Sequence, residues 1–273
     1  RSRSEASILA ELHQLAASGY REVVLSAISL PSYGLDTGTN LVELVEKCAQ
    51  VPGIERIRLG SLDPDMLTPE FISRLAAVDK LCPQFHLSLQ SGCTATLRRM
   101  RRVYTAEQYA QVVDQIRAAY GERPVSFTTD CICGFPGETE EQFQELMDFV
   151  EEARFDRMGA FAFSPEENTP AAEMPDQIPE EVKQERLDRL MKLQAQISLE
   201  NNQARIGTVE KVLGGVAGAA GLALSPDGST LYVSDLGSRC IWAVDADARE
   251  LTAGGRGCTA AFAGLPGLSL IHI

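Results

Sequence analysis

No apolar run in this 273-residue chain approaches the ~20 residues that a helical membrane span needs. The first residues carry no basic-then-apolar leader, so secretion is not expected. There is no P-loop and no nucleophile elbow with Ser, His and Asp partners, which removes two common catalytic designs. The three histidines, His13, His86 and His272, lie far apart, and none sits at metal-ligand spacing with a cysteine. No metal-binding residues are therefore expected from spacing. Basic charge is scarce: 25 Lys and Arg stand against 38 Asp and Glu, for a net charge of -13. A general electrostatic grip on nucleic acid is excluded, and any contact with phosphate must be local. Seven cysteines form an odd set without a small-scaffold pattern, which fits a reducing cytoplasm better than a disulfide framework.

What is present divides unevenly. Half of the 22 glycines fall in the last 60 residues, and Gly214, Gly215, Gly218 and Gly221 would break any regular element reaching them. The expected organisation is a catalytic body over 1–177, a long helix and the start of a further strand over 178–213, and a Gly-rich β segment over 214–273. The body alternates helix and strand. Helices are expected over 4–18, 40–50, 69–77, 105–119 and 139–153, with Thr68-Pro69 as a cap with proline at the first turn. Thr105 with Gln108 and Thr139 with Gln142 are capping-box pairs. Strands are expected over 21–30, 54–59, 85–90, 125–133 and 157–163, the first covered on both faces. Such alternation implies a parallel sheet with right-handed crossovers and chemistry at the C-terminal strand ends. Residues 178–205 read as one charged helix whose stripe of Val182, Leu187, Leu190, Leu193 and Ile197 packs outside the sheet.

The segments after the strands are small, polar and turn-prone: PSYG (31–34), GSLDP (60–64), QSGC (90–93) and GFPGET (134–139). Together they would line one mouth suited to a ligand with an amino-acid end and a sugar end. Taken alone, GFPGET is more simply a strand-to-helix turn with Thr139 as cap. Cys131 and Cys133 alternate in a strand and read as apolar fillers. Cys93, close to the mouth, is the cysteine best placed for reactivity. Arg98-Arg99-Met100-Arg101-Arg102 is the one dense basic run. It is either a solvated helix end or a phosphate contact, since guanidinium groups bind phosphate bidentately.

These motifs together resemble the radical S-adenosylmethionine (SAM) domain of methylthiotransferases, the MiaB/RimO/MtaB family. The resemblance rests on YREVVLSAISLPSYG (20–34), IERIRLGSLDP (54–64), FHLSLQSGC (85–93), LRRMRRVYTAEQY (97–109), FTTDCICGFPGETEEQF (127–143) and FSPEENTPAAEMPDQIP (163–179), and runs from residue 1 to about 213. It implies an α/β fold, a partial (β/α)6 TIM-like barrel lacking its first strand. QSGC followed by RRMRRVYT looks most like the MtaB branch, which implies methylthiolation of N6-threonylcarbamoyladenosine beside a tRNA anticodon. The isopentenyladenosine (MiaB) and ribosomal-protein (RimO) branches are the alternatives.

By the same resemblance, the cofactors are SAM and [4Fe–4S] clusters, one of them held by a CxxxCxxC loop, and the partners are tRNA and an electron donor. Ser61, Gln90, Ser91 and Asp130 would surround SAM, Ile132 and Gly134 would lie against its adenine, and Arg101 or Arg102 would reach SAM or RNA phosphate. The chain contains no CxxxCxxC, so as given it is not expected to cleave SAM.

Beyond Val212 the pattern changes. Residues 207–212 look like the first strand of a small RNA-gripping barrel. Residues 221–255 resemble one NHL-type propeller repeat with an Asp227-Gly228 hairpin turn and three strands, which raises a non-catalytic interaction module as an alternative. The final Leu268–Ile273 resembles a translated sequencing-adapter end, so a chimeric join near Leu213–Gly214 is expected.

Overall fold

Local signals place the helices where the sequence puts them. Thr105 and Thr139 each accept a hydrogen bond from the backbone of the glutamine three residues on, and that glutamine returns the bond. The boxes open α5 and α6 below. In the computed structural model, residues 1–206 are described in full, together with the backbone of 216–224, 230–245 and 269–272. The helices are α1 (Glu5–Ala17), α2 (Leu41–Ala49), α3 (Pro69–Ala76), α4 (Thr94–Arg99), α5 (Ala106–Tyr120), α6 (Glu140–Ala153) and α7 (Glu180–Ala204). The strands are β1 (Glu22–Ser26), β2 (Arg56–Leu59), β3 (Gln84–His86), β4 (Ser126–Cys133), β5 (Arg157–Ala162), β6 (Val216–Leu224), β7 (Thr230–Asp245) and β8 (Ser269–His272). No helix among the described residues is long and apolar enough to cross a membrane.

β1 pairs in parallel with β2, β3 with β4, and β4 with β5. Parallel bridges Ile57–Leu81 and Leu62–Leu87 join the two groups. The five expected strands therefore form one parallel series in chain order, an open α/β barrel. β8 runs parallel along the free edge of β1, Val23 opposite Ser269, and β6 and β7 form an antiparallel pair. β7 continues unbroken for 16 residues through Tyr232–Asp235, where the repeat resemblance called for two strands. Asp227-Gly228, residues 207–212 and the Leu213–Gly214 join lie outside the described residues.

Burial alternates strictly along β1, β2 and β4. One face, with Val23, Leu25, Ile57, Leu59, Phe127, Cys131 and Cys133, packs under the helices. The other face is half-open and polar. The expectation that the first strand is covered on both faces is thereby corrected: an open barrel leaves its concave side uncovered. The strand is also shorter than expected. It ends at Ser26, and Leu30–Ser32 forms a 3-10 turn that leaves Ile28 almost fully exposed. Pro31 has no N–H for a ladder and biases the residue before it, so the apolar run cannot continue as strand. α4 arises where the sequence reading has only a helix end.

α7 packs on β5 and α6 as expected of a helix outside the sheet, but its buried face is not the expected stripe. Leu190 and Ile197 are buried, whereas Val182, Leu187 and Leu193 are only half-buried. Lys183, Arg186 and Gln194 share the buried face. Each reaches a polar group at a strand or helix end: Lys183 Nζ donates to the Phe163 carbonyl at 2.8 Å, Gln194 Nε2 to the Phe155 carbonyl at 2.8 Å, and Arg186 to Glu138. Side chains that satisfy backbone groups at an element's end are buried although their type is polar.

Candidate functional site

The mouth lies at the C-terminal ends of the strands. Gln90 is built into its centre. Its N–H donates to the Asp130 carbonyl and its own carbonyl accepts from Ile132 N–H, both at 2.9 Å, so it pairs in parallel with Cys131. It does so at φ +67, in the left-handed region. A non-glycine residue there is uncommon. The two tyrosines beneath support the segment that leads into it. Tyr104 Oη donates to the Ser88 carbonyl at 2.7 Å, and Tyr109 Oη to the Leu87 carbonyl at 3.0 Å.

A cavity of about 270 Å³ opens beside Gln90. Ile132, Phe135 and Met174 supply apolar wall, and Arg101 and Arg102 supply positive charge. Four of the eight expected site residues thus share one space: Gln90, Ile132, Arg101 and Arg102. Asp130 lies one pleat further down the concave face, half-exposed, with its Oδ2 3.5 Å from His86 Nε2. Ser61 sits exposed on the turn after β2. Ser91 is fully buried, and its Oγ accepts from Cys93 N–H at 3.2 Å, so it holds the turn and does not line the cavity. Gly134, at φ +69, also lies outside the cavity lining, and a side chain there would meet Lys183 Cγ at 2.3 Å. Its N–H donates to Glu138 Oε2 at 2.8 Å.

Arg101 adopts φ +58 at the end of α4, and Arg102 N–H closes that helix by donating to the Leu97 carbonyl. Arg99 of the same run also borders the cavity, with its guanidinium held by donating to Gln142 Oε1 and Thr96 Oγ1. The basic run therefore lies along the mouth, and Arg99 serves the structure as well. Burial pushes the Asp63 carboxyl above its ordinary range and Asp65 adds to this, while Arg102 opposes both. Sequence reasoning passed over Phe135, Met174, His86 and Glu138. The first two are apolar residues in loops. The other two act through partners 44 and 48 residues away in sequence, a separation that no local pattern reveals.

The cysteines have the opposite character to a reactive site. Burial pushes Cys133 and Cys48 up to about 12 and raises Cys131 as well. Cys93 is buried, and burial followed by a hydrogen bond with Glu145 raises its thiol. Its expected reactivity is corrected: Cys93 lies outside the cavity lining and is buried beside Glu145 and Thr96, and a thiol raised by burial is a poor nucleophile. Among the described residues no three His, Cys, Asp or Glu side chains converge as metal ligands. On folded protein at pH 8, peptide-mapped iodoacetamide labelling is expected to leave Cys48, Cys82, Cys93, Cys131 and Cys133 unmodified. Rapid alkylation of Cys93 would contradict its burial.

A parallel half-barrel with a mouth of apolar and cationic side chains at its C-terminal strand ends defines the class: a β/α enzyme whose site lies at that end. The chain belongs to the radical SAM superfamily, whose model matches residues 1–150. It is 43% identical over 215 residues to a tRNA-2-methylthio-N(6)-dimethylallyladenosine synthase of Acidothermus cellulolyticus, covering 78% of this chain and 43% of that protein. It is 42% identical to the protein of that name from Caldicellulosiruptor saccharolyticus, covering 78% and 45%. The chain thus spans less than half the length of these relatives. Coproporphyrinogen III oxidase (HemN) of Escherichia coli, a radical SAM enzyme, superposes with a TM-score of 0.51 at 15% identity, over 88% of this chain and 64% of that one. That likeness is one of fold.

Radical SAM proteins use SAM with a [4Fe–4S] cluster. The cavity fits the nucleoside part of SAM, with apolar wall for a purine and Gln90 and guanidinium groups for polar edges. The cluster is not matched among the described residues: iron–sulfur clusters require cysteine thiolates, and Cys48, Cys82, Cys93, Cys131 and Cys133 are buried, with burial raising each thiol and no three of them converging. No step is derived through it.

Proposed function

We propose that this chain is the SAM-binding half-barrel of a tRNA methylthiotransferase acting on N6-dimethylallyladenosine. The observation that carries the reading is the convergence of Gln90, Ile132, Arg101 and Arg102 on one cavity at the strand ends. The named relatives favour the dimethylallyl substrate over the N6-threonylcarbamoyl substrate that QSGC and RRMRRVYT first implied. SAM is the cofactor of this superfamily. This chain's residues would bind and orient it. Gln90 would hold its polar edge, Ile132 and Phe135 its purine, and Arg101 and Arg102 the phosphates of the RNA strand. Ser61, Ser91, Asp130 and Gly134 complete the proposed SAM shell, Ser91 and Gly134 by shaping the loops and not by contact. The electron donor and a cytoplasmic setting follow from the same reading.

Titration calorimetry with S-adenosylhomocysteine tests the cofactor half. Gln90→Ala is expected to weaken binding about tenfold, the worth of one or two hydrogen bonds at a desolvated site. Anticodon stem-loops carrying either modified adenosine test the substrate half. Preference for the dimethylallyl form is expected, and R101A/R102A should weaken both RNAs alike while lowering the salt slope by about 1–2. Preference for the threonylcarbamoyl form would restore the MtaB branch.

A further inference from the structure

The concave face carries a chain of polar side chains that crosses four strands. Arg58 Nε donates to Glu22 Oε1 at 2.7 Å, and Arg58 Nη1 to Gln84 Oε1 at 3.3 Å. Gln84 Nε2 donates to Thr128 Oγ1 at 3.3 Å. Thr128 Oγ1 stands 3.0 Å from His86 Nδ1, and His86 Nε2 stands 3.5 Å from Asp130 Oδ2. Donor direction can be followed through it. Arg58 can only donate, so Gln84 presents its oxygen to Arg58 and its NH2 to Thr128. Thr128 Oγ1 then accepts from Gln84, and its own hydrogen is available to His86 Nδ1, 3.0 Å away. In the tautomer with the ring hydrogen on Nε2, Nδ1 accepts that hydrogen and Nε2–H faces the Asp130 carboxylate. From Arg58 Nη1 onward the donors can all point one way, from the guanidinium toward the Asp130 carboxylate, while Arg58 Nε donates in the other direction to Glu22; along that run each bond polarises the next.

The other side of Asp130 is shaped as well. A methyl group on Gly159, its register partner on β5, would stand 2.6 Å from Asp130 Oδ1. The carboxylate therefore lies between His86 Nε2–H and the bare backbone of Gly159, one residue from the Cys131 that pairs with Gln90.

We propose that His86, held as its Nε2–H tautomer by Thr128 and Gln84, is the positioning residue that aims the Asp130 carboxylate at donor groups of a nucleoside bound in the mouth. This rests on the reading of the mouth as a SAM site. His86 itself touches no ligand. It acts by keeping Asp130 extended over Gly159.

The experiment uses the full 273-residue chain. Nitrogen-15 NMR of labelled histidine at pH 8 reports the tautomer directly, with the resonance of residue 86 assigned by its loss in H86N. The wild-type ring is expected as Nε2–H, and Thr128→Val is expected to shift it toward Nδ1–H. Calorimetry with S-adenosylhomocysteine gives the second readout. H86N is expected to weaken binding about tenfold. H86Q, whose amide nitrogen can replace Nε2, should recover most of that loss. G159A, which pushes the carboxylate aside, should weaken binding to a similar extent, and the H86N/G159A pair should cost no more than either change alone. An Nδ1–H tautomer in the wild-type chain, or unchanged binding in both H86N and G159A, overturns the positioning role while leaving the mouth in place. A wild-type chain that binds no S-adenosylhomocysteine overturns the reading of the mouth, and the role with it.

Discussion

Arg186→Leu is expected to destabilise the fold by about 3–5 kcal/mol, the cost of leaving one partner of a buried ion pair uncompensated. Glu138, the acid of GFPGET, has a fully buried side chain, and that of Arg186 on α7 is 6% exposed. Arg186 Nη1 donates to Glu138 Oε2 at 2.9 Å and to the Glu138 carbonyl at 3.0 Å. Burial raises the Glu138 carboxyl above the ordinary carboxylate range, and the Gly134 N–H and Arg186 pull it partly back. The sign of the pH dependence follows. A carboxyl whose value is raised in the folded state binds its proton more tightly there than in the unfolded chain. Its contribution is fully favourable below the unfolded value, about 4.3, and is lost as pH rises through the raised one. Removing Arg186 raises that value further, so the deficit should be largest near pH 7 and shrink as pH falls toward 4. Urea midpoints at both pH values measure this. A deficit that does not shrink in acid would mean that lost packing against Phe143, 5.5 Å from the guanidinium, outweighs the charge. The double change E138Q/R186L should recover most of the loss, because no charge then remains buried.

Tyr109→Ala is the other large effect, expected to cost about 3–5 kcal/mol in urea unfolding by analogy with deletion of other core aromatics. The ring is fully buried. It meets Phe149 and Phe155 edge-on at 5.8 and 6.1 Å. Tyr109→Phe separates the ring from the hydroxyl and should cost only about 0.5–1.5 kcal/mol. The Leu87 carbonyl it leaves still accepts from Thr129 Oγ1 at 2.6 Å. Since Leu87 lies three residues before Gln90, Tyr109→Ala should also loosen nucleoside binding, whereas Tyr109→Phe should leave it nearly unchanged. Equal losses from both variants would place the stabilisation in the hydroxyl instead of the ring.

Both effects bear on how the mouth is held. Glu138 fixes the GFPGET turn through the Gly134 N–H, and α7 clamps that turn from outside. Tyr104 and Tyr109 fix the carbonyls that precede Gln90. The left-handed Gln90 and Arg101 are costly conformations for residues with side chains, and they persist because these surrounding bonds over-determine them.

Much of the architecture was legible because it is written locally. The Thr105 and Thr139 boxes need only residues three apart, and the alternation of helix and strand needs only periodicity. The motifs QSGC and GFPGET marked the mouth for the same reason, being short and contiguous. The failures share one cause too. The uncovered concave face of β1, the polar buried face of α7 and the inertness of Cys93 all depend on what lies opposite. Lys183, Arg186 and Gln194 look like solvent-facing residues until strand and helix ends are brought against them.

The amino-acid order alone determined the order of elements, the parallel series and the end of the barrel where the chemistry sits, since caps, turns and hydrophobic period act over a few residues. Only the tertiary structure decided which of the mouth residues meet, that Ser91 and Gly134 shape loops, and that His86 faces Asp130. Gln90 meets Ile132 and His86 meets Asp130 across more than 40 residues, and the strand register that creates those contacts is an outcome of burying one face of the sheet while leaving the other open.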